Sequence, residues 1–170
     1  MLRLLLLLLF VHSSLQAQRF PTYDCTNDLG QTAEFLPANI EKPSLVYIQT
    51  KSADQEVLES WIDPLVQKFI RKSGMLDAMF ESELYFLAFL NSAEKMVFEK
   101  SKKKLQEELP LEMRGRCFYT SGSPDAIENL TLNAASSYIV VIAANGNILG
   151  TIQGVYTEQK MELIEDLLSE

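Results

Sequence analysis

Cys25 and Cys117 are the only thiols in this 170-residue chain, and His12 is its only histidine. With 23 carboxylates, they are the groups from which covalent or acid–base chemistry would be built. Their placement removes most of that chemistry. Residues 1–17 read as a targeting segment. Arg3 gives it a positive start, Leu4 to Val11 form an apolar run, and Ala17 ends a small-residue cleavage signal. The run falls short of the roughly 20 residues a membrane span needs, so an exported chain is expected, periplasmic or extracellular, with residues 18–170 as one domain. Cleavage after Ala17 takes His12 away. No imidazole is then left for a Ser-His-Asp or Cys-His mechanism or for a histidine zinc site, and two cysteines cannot build an all-thiolate one. The sequence therefore assigns no catalytic residue, no metal and no cofactor.

An even cysteine count in an exported chain suggests a disulfide. A closed loop of about 90 residues would contribute about 4 kcal/mol on the chain-entropy model. Two separate buried thiols are the alternative. Glu81, Glu83, Glu94, Glu158, Glu162 and Glu165 fall mostly on predicted exposed faces, whereas a glycosidase pair must face across a cleft. Formal charge is −8 and drops one further unit with Arg3, which argues against nucleic acid as partner. The one basic run, Lys102-Lys103-Lys104, shares a helix with Glu99, Glu107 and Glu108 and reads as a solvated face. Trp61 lies on an apolar helix stripe and reads as core. Asn129-Leu130-Thr131 matches a glycosylation acceptor.

The elements that would position these groups are legible in order. Thr22–Cys25 and Thr32–Phe35 form a hairpin about the turn residues Asn27–Gly30. Leu45–Ile48 is a buried strand. Residues 54–72 carry Val57, Leu58, Trp61, Ile62, Leu65, Val66, Phe69 and Ile70 at helical spacing, with Ser52 or Asp54 as cap and Pro64 as an internal kink. Leu84–Leu90 is a second buried strand. Asn91-Ser92 caps a helix over 93–109 that Pro110 stops. Arg116–Thr120 is a shorter strand, and Ser123-Pro124-Asp125 opens a short helix. Tyr138–Ile142 turns back through a two-residue Asn145-Gly146 hairpin into Asn147–Ile152. Thr157 caps the last helix. Strands alternating with helices predict an α/β fold with a parallel core and an antiparallel closing edge.

This order resembles the thioredoxin-like superfamily, in its extracytoplasmic thiol-reductase and peroxiredoxin-like branch. Phe20-Pro21 with Asp28 and Gly30, Lys42–Ile48 as first core strand, Pro64 as the helix-kinking proline, Tyr138–Ile148 as a core hairpin, and Gly154 with Thr157 carry the resemblance. A weaker similarity is to the mitochondrial ATP-synthase assembly factor with a thioredoxin-like domain. The resemblance implies a three-layer fold, with a mixed central sheet flanked by helices and an N-terminal hairpin. It also implies a Cys-x-x-Cys motif where the first core strand meets the kinked helix. That position falls at Ala53-Asp54-Gln55-Glu56, or at Glu56–Glu59 when counted back from Pro64, and neither contains cysteine. Asn133–Ser137 fills the cis-proline segment without proline. The redox site is thus vacated, since disulfide exchange needs an activated thiolate and a resolving thiol.

In such folds the N-terminal hairpin lies near the strand equivalent to Arg116–Tyr119. The resemblance therefore implies that Cys25 and Cys117 are neighbours and form a staple. It further implies a groove for an extended polypeptide at Lys51 and Ser52 with Ala135, Ser136 and Ser137. The expected function is that of an exported, redox-inactive binding or assembly module, more an interaction protein than an enzyme. The alternative is a weak thiol-disulfide oxidoreductase using Cys25 and Cys117.

Overall fold

The computed structural model describes residues 18–35, 40–49, 55–75, 77–121 and 136–169. The predicted targeting segment, the short helix after Ser123 and the acceptor at Asn129 lie outside them.

Seven strands form one mixed sheet in the order β2-β1-β5-β4-β3-β6-β7. They are β1 Tyr23–Asn27, β2 Thr32–Phe35, β3 Ser44–Gln49, β4 Glu83–Phe89, β5 Cys117–Thr120, β6 Tyr138–Ile142 and β7 Ile148–Gln153. β3 runs parallel to β4, and β4 parallel to β5. β6 lies antiparallel to β3 on its other side. A parallel pair needs a crossover, and helices supply both. These are α1, Gln55–Leu65, and α2, Ser92–Glu108; among the described residues a third helix, α3 Glu158–Ser169, follows β7.

The apolar runs read as strands because a central strand is buried on both faces. Leu45, Val46 and Ile48 have no measurable exposure. Alternation then sorts them. Val46 and Ile48 pack with Tyr23, Cys25 and Phe35 on one face. Leu45 and Tyr47 pack with Trp61, Leu65 and Ile164 beneath α1 and α3 on the other. α1 is pinned to the segment between β7 and α3 through two polar contacts. Trp61 Nε1 donates to the Gly154 carbonyl at 2.8 Å, and the Tyr156 N–H donates to Ser60 Oγ at 3.0 Å.

Two local features differ from the predicted ones, and a third agrees. The single kinked helix over 54–72 is instead α1 followed by a π-helical segment, Val66–Arg71. Pro64 has no N–H and crowds the carbonyl four residues back, so the regular bonding pattern is not sustained across it. The turn after β6 is longer than two residues. The Gly146 N–H closes on the Ala143 carbonyl at 2.9 Å, and Gly146 takes φ +83°, as in a three-residue loop ending in a left-handed residue. The cap of α2, by contrast, is a full capping box. Asn91 Oδ1 accepts from the Ala93 and Glu94 N–H groups, and the Glu94 carboxylate accepts from the Asn91 N–H at 2.8 Å.

Candidate functional site

The end of β3 lies beside the start of β6. Ile48 pairs with Tyr138 in the antiparallel register, so Gln49 and Ser137 stand one step beyond. Ser137 is 3% exposed, and Ser136 is partly exposed before it. Lys51, Ser52, Ala53, Asp54 and Ala135 fall outside the described residues. Gln55 and Glu56 are the exposed first residues of α1. Gln55 Nε2 donates to Glu59 Oε1 at 3.0 Å, and Glu56 places a carboxylate where the helix dipole favours one. The described start of α1 thus carries an i, i+4 side-chain pair and a carboxylate suited to the helix dipole.

The two thiols are corrected from the expected staple. Their strands do pair, but Cys25 and Cys117 are both free and buried. The antiparallel register of β1 and β5 sets Thr26 against Tyr119 and Asn27 against Phe118. Cys25 is therefore opposite Thr120, three residues from Cys117. An odd offset puts the two side chains on opposite faces. Cys25 joins the Tyr23 and Phe35 cluster, while Cys117 joins Val66 and Met113. Neither is activated. Burial pushes the Cys25 thiol up to about 11, against a lowering hydrogen bond from Thr120. Burial and the nearby Asp28 push Cys117 up to about 12. Thiolate nucleophiles need the opposite shift.

Asp28 is a residue whose role the sequence did not disclose. It was legible as a turn former, yet it is fully buried. Its carboxylate accepts from the Gly115 N–H at 2.8 and 3.0 Å and from the Cys117 N–H at 3.3 Å. Among the other carboxylates, Glu83 pairs with Arg116 at 2.6 Å, and Glu165 and Asp77 share Lys68 at 2.6 and 3.4 Å. Burial alone would lower the Lys68 pKa, but the two carboxylates outweigh it and raise it. These are structural pairs. Among the described residues no group of three or more His, Cys, Asp or Glu side chains is placed to hold a metal ion, and no helix is long and apolar enough to cross a membrane.

Beneath α1, at the carboxyl ends of the parallel strands, lies a cavity of about 240 Å³. Its floor is two rungs of the sheet: Tyr47, Phe86 and Cys117, then Gln49, Ala88 and Tyr119. Leu58 and Ile62 of α1 wall one side, and Leu109 and Met113 wall the other.

No protein-family model matches the chain, and no curated protein matches it. Solved structures do. The thiol:disulfide interchange protein from Chlorobium tepidum is 17% identical at TM-score 0.55, over 90% of this chain and 97% of that one. The pneumococcal exposed lipoprotein thioredoxin from Streptococcus pneumoniae is 12% identical at TM-score 0.56, over 86% and 99%. BsSco, of the Sco family of cytochrome c oxidase assembly proteins, is 14% identical at TM-score 0.52, over 91% and 94%. The weaker similarity to the ATP-synthase assembly factor is not shown by these comparisons. At such identities the likeness carries architecture alone, and what it establishes is that this chain has a thioredoxin-like fold.

Proposed function

We propose that the chain is an exported, redox-inactive thioredoxin-like protein that serves as a binding or assembly module. The observation that supports this most is the disposition of its thiols. The β3–α1 junction contains no cysteine, and the two cysteines elsewhere are buried on opposite faces of the sheet. A dithiol mechanism needs one thiol to resolve the other's mixed disulfide, and this pair cannot meet within the folded sheet. The partner would be an extended polypeptide lying along residues 51–56 and 133–137, where the register of β3 and β6 brings the flanking residues Gln49 and Ser137 together.

Insulin reduction by dithiothreitol tests the chemistry. The purified protein should leave the rate at its uncatalysed value, and Cys25→Ser and Cys117→Ser variants should be indistinguishable from it. Acceleration that disappears in Cys117→Ser would establish an oxidoreductase instead. Export is tested by fractionating expressing cells and sequencing the recovered N-terminus. It should read from Gln18, in the extracytoplasmic fraction.

A further inference from the structure

β4 is made of large side chains with one exception. Glu83, Leu84, Tyr85, Phe86, Leu87 and Phe89 surround Ala88. Ala88 sits in the middle of the outer rung, between Gln49 on β3 and Tyr119 on β5, and its face is the one that α1 covers. A larger residue at the centre of that rung would fill the space under Leu58 and Ile62. Alanine leaves it open, as the cavity of about 240 Å³.

The lining has a direction. The inner rung offers the rings of Tyr47 and Phe86, 6.0 Å apart, and the protonated thiol of Cys117. The outer rung offers the carboxamide of Gln49 and the phenol of Tyr119, whose ring stacks on Phe98 at 4.0 Å. Among the described residues no lysine, arginine, aspartate or glutamate lines the space, so there a charged headgroup would find no counter-charge to offset its desolvation. An apolar cavity of about 150 Å³ takes up benzene. On that scale this one holds about ten non-hydrogen atoms, the size of an eight-carbon chain with its polar end.

We propose that this cavity is a binding site for a short uncharged amphiphile, with its hydrocarbon end among Tyr47, Phe86 and Cys117 and its hydrogen-bonding end at Gln49 and Tyr119. The site is independent of whether the chain is redox-silent.

The test is titration of ¹⁵N-labelled protein with butan-1-ol, hexan-1-ol, octan-1-ol, decan-1-ol and octanoate, followed by NMR. Octan-1-ol should saturate, with the largest shifts at the amides of Gln49, Ala88 and Tyr119. Affinity should rise about fourfold per methylene and level off near eight carbons, as the space fills. Octanoate should bind at least tenfold more weakly at pH 7. Ala88→Leu should weaken octan-1-ol at least tenfold with Tm unchanged or raised. Ala88→Val, which adds less volume, should give an intermediate loss if leucine overfills the site. The proposal is overturned by alcohols that do not saturate, by affinity rising unbroken with chain length, or by undiminished binding in both Ala88 variants. Saturable binding of peptides with an apolar anchor residue but of no alcohol would also overturn it, and would assign the cavity to a protein partner.

Discussion

Asp28 shows how one side chain can fix two strands. It follows β1, yet its carboxylate serves the Gly115 and Cys117 N–H groups at the start of β5, while its own N–H donates to the Cys117 carbonyl at 2.9 Å. Removing the carboxylate leaves these donors without their acceptor, and hydrogen bonds to charged groups are worth about 1.5–3 kcal/mol. Asp28→Ala should therefore lower stability by about 3 kcal/mol in urea denaturation, and Asp28→Asn, which keeps one acceptor oxygen, by less. Equal stability of Asp28→Ala and the parent would show that the carboxylate is not what joins them. Sequence alone does not reach this residue. Aspartate in an Asn-Asp-Leu-Gly run is a turn signal, and turn chemistry says nothing of burial. Ala88 was silent for a related reason, since its consequence depends on which residues flank it across two strands.

Elements were legible where one physical signal decides them. β3 and β6 are continuous apolar runs because both faces are buried, and α2 announces itself through the cap at Asn91-Ser92 and the stop at Pro110. The π-helical segment was not legible. Pro64 signals a disturbed helix but does not specify which bonding pattern replaces it. Nor was the close approach of α3 to β7. Gly150 makes that approach possible, because a Cβ there would stand 2.6 Å from Leu167 Cδ1. Gly150→Ala should cost about 1–2 kcal/mol through this overlap. In a Leu167→Ala background the same substitution should cost close to nothing. Additive losses in the four-variant cycle would locate the effect in the strand and not in the helix contact.

For the molecule as a whole, the leader-like residues 1–17 and the strand–helix order gave compartment and architecture as expectations, and the architecture is the one observed. The cysteine pairing was misjudged because adjacency of two strands does not determine parity, and parity decides whether two side chains can meet. That arrangement sets a pH dependence. A thiol in the unfolded chain titrates near 8.5, whereas burial holds Cys25 and Cys117 at about 11 and about 12. The folded state keeps its protons longer. Its advantage is complete below about pH 8.5 and is lost as the pH climbs toward the folded values. Unfolding free energy should fall above pH 9 with a slope approaching about 1.4 kcal/mol per pH unit for each thiol. Between pH 9 and 10 the double variant Cys25→Ala and Cys117→Ala should lose most of that slope in urea titrations. Tyr23, Tyr85 and Tyr119, also raised chiefly by burial, act mainly above pH 10. An unchanged slope in the double variant would mean that other groups govern alkaline stability.

The three-residue offset between Cys25 and Cys117 has one more consequence, and it is kinetic. With the thiols on opposite sides of a hydrogen-bonded pair of strands, the sheet itself is the barrier to their oxidation. A bond between them can close only after the Thr26–Tyr119 and Asn27–Phe118 pairing has come apart. A Cys25–Cys117 cross-link would thus be a record of the N-terminal hairpin detaching from β5, and its accumulation under oxidant would count those departures one by one.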